Sequence, residues 1–492
     1  MAFIPLGEYT PDLPDYMNTG ATVAKNVLPS GTSYQPFLGP SVYTSNGLTA
    51  ACKGAVRGRD PSNVSYNFAG DTTKLYRLSS AAWSDVSKVG GYTTSSDDVW
   101  EFTQWGNQIL ATNYTDTIQT YTMGTSSAFA DLSGTPPKAR HIGVVRDFVV
   151  VANTNDSDGA LPYRVRWCAI GDPTNWTVSS VTQADYQNLD GPGGWCQKVI
   201  GGEYGVIFQE RAIWRMTYVG SPAIFQFDQV ESGRGTPAPG SVVKVGNFIA
   251  YLGIEGFYIF DGQQSISIGA NRIDKTFYDD LDQNYLFNIS SAVDPAQQII
   301  YWAYPGVGNS SGRPNKILMY NYSPSATKRW SYAETETEFI YLSAGEGYTL
   351  DSLDTYSTDL DSLPFSLDSR VWTGNTSNLS GFNSSHKLVN YTGTALDAII
   401  ETGEATLHEN NRTQVMKVRP VIDGSGTVTV QMGTRDTLAD SVTWDSAVSL
   451  TTAGDAPVRT NARFHRARIN ISGGFNDAQG IEVVDFKKAG VR

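Results

Sequence analysis

The run ARHIGVVRDFVVVANTNDSDGALPYRVRWCAIGDPTNW, Ala139 to Trp176, decides the fold. It opens with a short leading strand (Arg140 to Arg146) and turns directly into an apolar strand, DFVVVAN (Asp147 to Asn153). A second turn leads to YRVRWCA (Tyr163 to Ala169), and a closing strand is expected at NWTVS (Asn175 to Ser179). A short apolar run bounded by polar turns fits a strand buried on both faces, and alternation fits a half-exposed one.

The same order returns along the chain. Leading strands recur at Val99 to Trp105, Trp195 to Gly202, Ser241 to Gly246 and Asn288 to Asp294. Apolar second strands follow at Asn107 to Asn113, Tyr204 to Glu210, Asn247 to Gly253 and Gln298 to Tyr304. Third strands fall at Thr117 to Met123, Ala212 to Val219, Gly256 to Phe260 and Lys316 to Tyr322. Closing strands fall at Ala128 to Leu132, Phe225 to Val230, Ser265 to Gly269 and Arg329 to Glu334. A weaker unit precedes them at Ser65 to Gly70, Lys74 to Ser79 and Trp83 to Ser87. Four-stranded blades repeating every ~40–50 residues are the signature of a propeller. Residues 45–345 are therefore expected to form a six-bladed β-propeller. Two stacked sandwiches are the alternative, against which the fixed order of strand types argues.

The 492-residue chain is long enough for several domains. Its charged fraction is only 17%, while Gly, Thr, Ser, Asn and aromatics abound, a balance that favours strands joined by turns. Residues 1–44 are rich in proline and turn residues and read as an extended arm. Apolar anchors along it favour docking over disorder, and Asn26, Leu28, Pro29, Tyr34 and Pro36 are its candidate assembly-interface residues. Residues 346–370 read as an acidic linker, in which Asp351, Asp354, Asp359 and Asp361 lack the spacing of a calcium loop. Residues 371–492 are expected to form a β-sandwich-like domain. There TVTVQMGT (Thr427 to Thr434) puts Val428, Val430 and Met432 on one face. MKVRPVID (Met416 to Asp423) puts Met416, Val418 and Ile422 together, and DGSG between the two is a hairpin signal.

The formal charge is −13, which disfavours gripping nucleic acid by its phosphates but suits a conduit along which DNA slides. No secretion signal or apolar span of membrane length is present, and three sparse cysteines (Cys52, Cys168, Cys196) read as reduced thiols. The N-x-S/T triplets then reflect composition alone. The four histidines, His141, His386, His408 and His465, lack metal-ligand spacing, and no phosphate-loop, dinucleotide or serine-elbow motif occurs. No cofactor or metal is expected. His141 reads as a packed residue, and Cys196 beside Trp195 as a core thiol. The acidic clusters Asp97-Asp98 and Asp279, Asp280, Asp282 leave a glycosidase as a minor alternative. Trp167, Trp214, Trp302 and Trp330 read as packing between blades and not as a sugar platform.

The run quoted first resembles a stretch of phage tail proteins. So do Gly201 to Gly262, GGEYGVIFQERAIWRMTYVGSPAIFQFDQVESGRGTPAPGSVVKVGNFIAYLGIEGFYIFDG, and the linker DSLPFSLDSRVWTG (Asp361 to Gly374). The opening PDLPDYMNTGATVAKNVLPSGTSYQPF (Pro11 to Phe37) is similar to the start of such chains. The family is the tail nozzle, or packaged-DNA stabilisation, protein of short-tailed bacteriophages and related prophages. The resemblance covers residues 1–345 most strongly and offers no catalytic residues. It implies a virion protein assembled in the host cytoplasm as a homo-hexamer. Its partners would be an adaptor ring connected to the portal, tail fibres or spikes, a needle or plug, and double-stranded DNA passing without sequence recognition. A receptor- or glycan-binding propeller at the tail tip is the other expectation.

Overall fold

The computed structural model describes residues 2–16, 18–345, 359, 377–408 and 411–490. Strand dominates, and the α-helix described is the single short one at Asp274–Asp280. The acidic linker, with Asp351, Asp354 and Asp361 and the Asp361 to Gly374 resemblance, lies outside the described residues except for Asp359.

The repeats fold into successive antiparallel four-stranded units. The first is Gly54–Arg59, Ser65–Gly70, Leu75–Ser79 and Ala82–Asp85. The second is Glu101–Trp105, Gln108–Thr112, Gln119–Thr122 and Ala130–Asp131. The third is Lys138–Val145, Phe148–Asp156, Gly159–Trp167 and Asp185–Asn188. The fourth is Cys196–Ile200, Gly205–Gln209, Ala212–Gly220 and Ile224–Ser232. The fifth is Val243–Val245, Phe248–Leu252, Phe257–Phe260 and Ser265–Ser267. The sixth is Ser290–Asp294, Ile299–Tyr304, Lys316–Asn321 and Trp330–Glu334.

A seventh unit corrects the expected count of six. It comprises Ile340–Ala344, Ser377–Phe382 and Leu388–Asn390, and its fourth strand is Ser41–Val42 from the other end of the chain. No local repeat can announce a unit assembled from such distant pieces. A second correction concerns the third unit, whose closing strand is Asp185–Asn188; the expected Asn175 to Ser179 is an irregular loop that buries Trp176.

The units pack side by side into a propeller-like ring. Each gap between neighbours holds its own apolar cluster. Phe68 meets Tyr121 between the first and second units (ring centroids 5.0 Å apart), and Leu110, Ile142 and Trp176 fill the next gap. Phe148 and Phe225 (4.9 Å) fill the third gap, Phe208 and Tyr251 (5.1 Å) the fourth, and Phe257 and Trp302 (4.8 Å) the fifth. Tyr301, Met319 and Ile340 join the sixth unit to the seventh, and Trp83 against Phe382 (5.7 Å) joins the seventh to the first. Aromatic pairs at such spacings add about 0.5–1.5 kcal/mol each beyond their buried area.

Polar ties close the last gap. Asn67 exchanges two hydrogen bonds with the Ala344 backbone, Nδ2 to O at 2.9 Å and N to Oδ1 at 3.1 Å. Glu338 of the seventh unit accepts from the Cys52 backbone N–H at 3.0 Å and meets His386 Nδ1 at 2.7 Å.

Two further sheets follow the ring. In one, Phe475–Lys488 pairs with Thr413–Gly424; in the other, Thr427–Arg435 pairs with Phe464–Ser472, which also pairs with Ala398–Thr402. Val415, Val418, Ile481 and Val483 of the first share one apolar cluster with Val430, Ile469 and Ile471 of the second. The expected face of Val428, Val430 and Met432 is buried. The expected hairpin at Asp423 to Gly426 is not formed: the strands on either side belong to opposite sheets. The segment crosses between sheets with Gly424 at φ +133°, where an added Cβ would lie 2.5 Å from Phe475 Cα. Register shifts between Val415 and Val418 also change the phase of the preceding strand, so Val415 turns inward instead of Met416, while Val418 lies in the core with Ile422 half-buried against it, as expected.

The arm belongs to these sheets. Ala2–Pro5 pairs with Phe475–Lys488, and the hairpin of Val27–Ser30 and Ser33–Pro36 extends the same sheet. Ala21–Lys25 lies between Trp330–Glu334 and Ala398–Thr402, joining the sixth unit and the second C-terminal sheet into one continuous sheet. Asp12 caps the helix through the backbone N–H groups of Lys275 (2.8 Å) and Thr276 (2.9 Å). The arm therefore docks on its own chain. The boundaries 1–44 and 371–492 do not mark independent domains, since Ser41–Val42 and Ser377–Asn390 complete the ring.

Truncation gives a direct check. Deleting residues 1–44 should expose the C-terminal sheets to protease and lower Tm, and Tyr34→Ala alone should cost about 3–5 kcal/mol. Urea melts and limited proteolysis read both. An unchanged melt after the deletion would show the arm to be dispensable to the fold.

Candidate functional site

The first strands of six units, with Glu338 and Phe339 just before the first strand of the seventh, line an axial cavity of about 490 Å³. Lys53, Glu101, Lys198, Lys244 and Glu338 stand among its apolar walls. A second cavity of about 330 Å³ shares Val99 and Phe287 with the first and so adjoins it. Its walls come from the second, third and fourth units and the segments preceding the fifth and sixth, including Asp97, Asp98, Tyr114, Arg140, His141, Asn153, Trp195, Gln197 and Asn284. It forms a mouth to the axis.

Glu101 lies beneath this mouth. Its Oε1 accepts from His141 Nδ1 at 2.9 Å and Lys198 Nζ at 2.8 Å, and Oε2 from the Ile142 N–H at 3.4 Å. Burial pushes the carboxyl pKa up, but Lys198 and His141 together outweigh it and hold the group down at about 2. An ionised Glu101 can only accept, so the shared proton sits on His141 Nδ1. His141 Nε2 is buried without a partner, a cost of about 1–3 kcal/mol that the surrounding bonds must offset. Nearby, Asp98 pairs with Arg140, whose guanidinium lies 4.3 Å from the Tyr114 ring centroid.

The other chemical candidates are engaged structurally. Burial pushes the Cys196 and Cys168 thiols up to about 12, so neither is a ready nucleophile. Asp280 accepts from Tyr304 Oη (2.9 Å) and pairs with Lys316 (2.6 Å), while Asp282 accepts from the Asn284 N–H at 3.2 Å; Asp279 is exposed on the helix. His465 donates from Nε2 to backbone carbonyls of Thr413 and Ala462, and burial lowers its pKa. His408 bonds Thr413 Oγ1. Among the described residues, no group of three or more His, Cys, Asp and Glu could hold a metal ion. Trp167, Trp302 and Trp330 are buried between sheets as expected, and Trp214 is half-buried, donating to Gln209 at 2.7 Å.

The candidate interface residues sit elsewhere, and largely inside. Asn26, at φ +58°, takes an N–H bond to Tyr332 O, donates from Nδ2 to Asp397 O and accepts from the Glu334 N–H. Tyr34 is fully buried and donates to Gly7 O at 2.9 Å. Pro29 is buried too, while Leu28 and Pro36 are half-buried. These side chains knit the arm to its own chain. Sequence reading missed the mouth because its residues come from separate units and carry no motif. Only Asp97-Asp98, His141 and Trp195 had been singled out, each on other grounds.

No protein-family model matches this chain, and no curated protein does. Among solved structures, the computationally designed Ika8 protein aligns at 10% identity and TM-score 0.37, over 72% of this chain and 99% of that one. A chain of the Mitotic Checkpoint Complex aligns at 10% identity and TM-score 0.37, over 75% and 92%. At that level of similarity neither bears on fold or function.

Glu101 yields a signed expectation. Its carboxylate contributes stability above the unfolded pKa near 4.5, and that contribution is lost as pH falls through about 2. Glu101→Gln should flatten this acid limb, and Glu101→Ala, which strands Lys198, should cost about 3–5 kcal/mol at neutral pH. Denaturant melts across pH give the comparison; identical curves for native and variant would refute the assignment.

Proposed function

We propose that this chain is a structural subunit of the tail nozzle of a short-tailed bacteriophage or related prophage, and not an enzyme. In this reading the seven units are propeller blades and the two C-terminal sheets a β-sandwich. Six copies form a ring in the virion tail below an adaptor ring, line the DNA exit channel and offer attachment to fibres or spikes. The acidic balance lets DNA slide without adhering.

The observation that carries the reading is the resemblance of Ala139 to Trp176 and Gly201 to Gly262 to tail proteins. These stretches supply most of the third, fourth and fifth units. A ring also needs a subunit contact, and these stretches and the loop that follows the first carry exposed apolar side chains. Ile170 and Val178 lie on the loop before Asp185–Asn188, as does Val181, which is 86% exposed. That loop touches the long hairpin of the fourth unit through Tyr218 Oη and Gln183 Oε1 at 2.9 Å, and Val219 beside it is 50% exposed. Neighbouring apolar groups left in water suit a contact with a second copy.

The native chain should form six-membered rings alone or on purified adaptor rings, visible by negative-stain microscopy. Val181→Glu combined with Val219→Glu should leave a folded monomer. Full incorporation of the double variant would exclude this contact, and a native chain that stays monomeric beside adaptor rings would overturn the nozzle reading.

A further inference from the structure

We infer that the mouth cavity, at the side where the third and fourth units present Asn153, Trp195 and Gln197, is a binding site for a neutral saccharide. The inference stands apart from the nozzle reading, since it concerns a pocket within one chain.

Two register shifts build the site. In the third unit the register shifts between Ala152 and Thr154, where three residues of the facing strand, Pro162 to Arg164, stand opposite Asn153, itself at φ +57°. In the fourth it shifts between Cys196 and Lys198, leaving Gln197 unpaired. A bulge turns a side chain away from the direction the pleat would give it, and bulges concentrate where a side chain must be re-aimed. Here two neighbouring units each place a carboxamide at a register shift, and both carboxamides line the same cavity. Asn153 Nδ2 donates to Cys196 O at 3.2 Å, which ties its amide to the backbone between Trp195 and Gln197. The asparagine is thus held at a positive φ that its residue type tolerates.

Trp195 stands beside them. It is 54% exposed, the one tryptophan exposed among the described residues. A pyranose has an apolar C–H face and a rim of hydroxyls that donate and accept. An open indole face takes the first, and carboxamides, which do both, take the second. At about 330 Å³ the cavity falls within the range of roughly 300–1,000 Å³ common for small-molecule sites.

Charge selects a neutral ligand. Asp97, Asp98 and Glu101 are offset by Arg140 and Lys198, and the Arg140 and Lys198 cations are already held by Asp98 and Glu101. Of the residues lining the mouth, Arg140 is the one Lys or Arg, and it is held by Asp98; Lys53 nearby is turned to the carbonyls of Ser95, Ser96 and Asp98, and Asp97 would repel an anion.

The test titrates the full chain with neutral hexoses and their disaccharides, and with sialylated and phosphorylated sugars, by saturation-transfer NMR and tryptophan fluorescence. At least one neutral sugar should bind, with anionic analogues excluded. Trp195→Ala and Gln197→Ala should each weaken binding about tenfold or more, and Trp195→Phe should retain most of it. Unchanged melting of each variant separates lost contacts from lost fold. If no neutral sugar binds at millimolar concentration, or folded W195A binds as the native chain does, the inference is wrong. Loss of ring assembly in W195A without any sugar binding would also overturn it, making Trp195 a subunit contact.

Discussion

The constraint on which this molecule depends is closure. A four-stranded sheet whose apolar groups face its neighbours is stable only if both faces are covered, and a row of such sheets ends in two uncovered faces unless it returns on itself. Here the two ends are the first and seventh units. Trp83, Tyr341 and Phe382 bury the joint, and Asn67 supplies a side-chain amide that pairs with the Ala344 backbone as a strand would. The seventh unit is itself incomplete until Ser41–Val42 pairs with Leu388–Asn390. One short strand from the N-terminal side therefore ties the end of the ring to its beginning.

The same economy explains the arm. Proline and turn residues keep it extended, and an extended segment leaves backbone donors and acceptors to be satisfied. It satisfies them on sheet edges: at Phe475–Lys488, between Trp330–Glu334 and Ala398–Thr402, and against the seventh unit. Each edge so covered is one fewer template for unwanted pairing. Asn26 is the pivot, because asparagine tolerates positive φ and offers an amide on both sides. It bonds to the sixth unit through Glu334 and to the C-terminal side through Asp397. Ring and C-terminal sheets are thereby continuous.

Much of this was legible because the repeat is local. Leading, apolar and alternating strands lie within one stretch of chain, so periodicity finds them, and five of the leading strands fall where expected. The seventh unit was hidden because its strands are separated by long gaps and completed from residue 41. The hairpin read into Asp423 to Gly426 failed for another reason. Glycine signals a tight turn equally well whether the chain returns in the same sheet or crosses to the opposite one. Alternation in each flanking strand is identical in both cases, and only the partners, Phe464–Ser472 and Phe475–Lys488, decide. The interface residues assigned to the arm illustrate the general difficulty. Apolar anchors such as Tyr34 announce burial, but not whether the covering surface belongs to the same chain or to another.

The axis shows how one scaffold can hold opposite electrostatic solutions. Glu101 and Glu338 both line the axial cavity, and burial raises the pKa of each. Glu101 has Lys198 and His141, and its pKa ends depressed. Glu338 has the Cys52 N–H and His386, which do not overcome desolvation, and its pKa ends raised. The signs of their linkage to folding are therefore opposite. Glu101 loses its contribution as acid neutralises it, whereas Glu338 is held at less cost once protonated. Acid thus weakens the Glu101 contacts that link the second unit to the third and fourth, while the joint between the seventh unit and the first, where Glu338 bridges, is favoured. The contacts under the mouth therefore lose this support as the pH falls toward about 2, and the strand-closed joint does not.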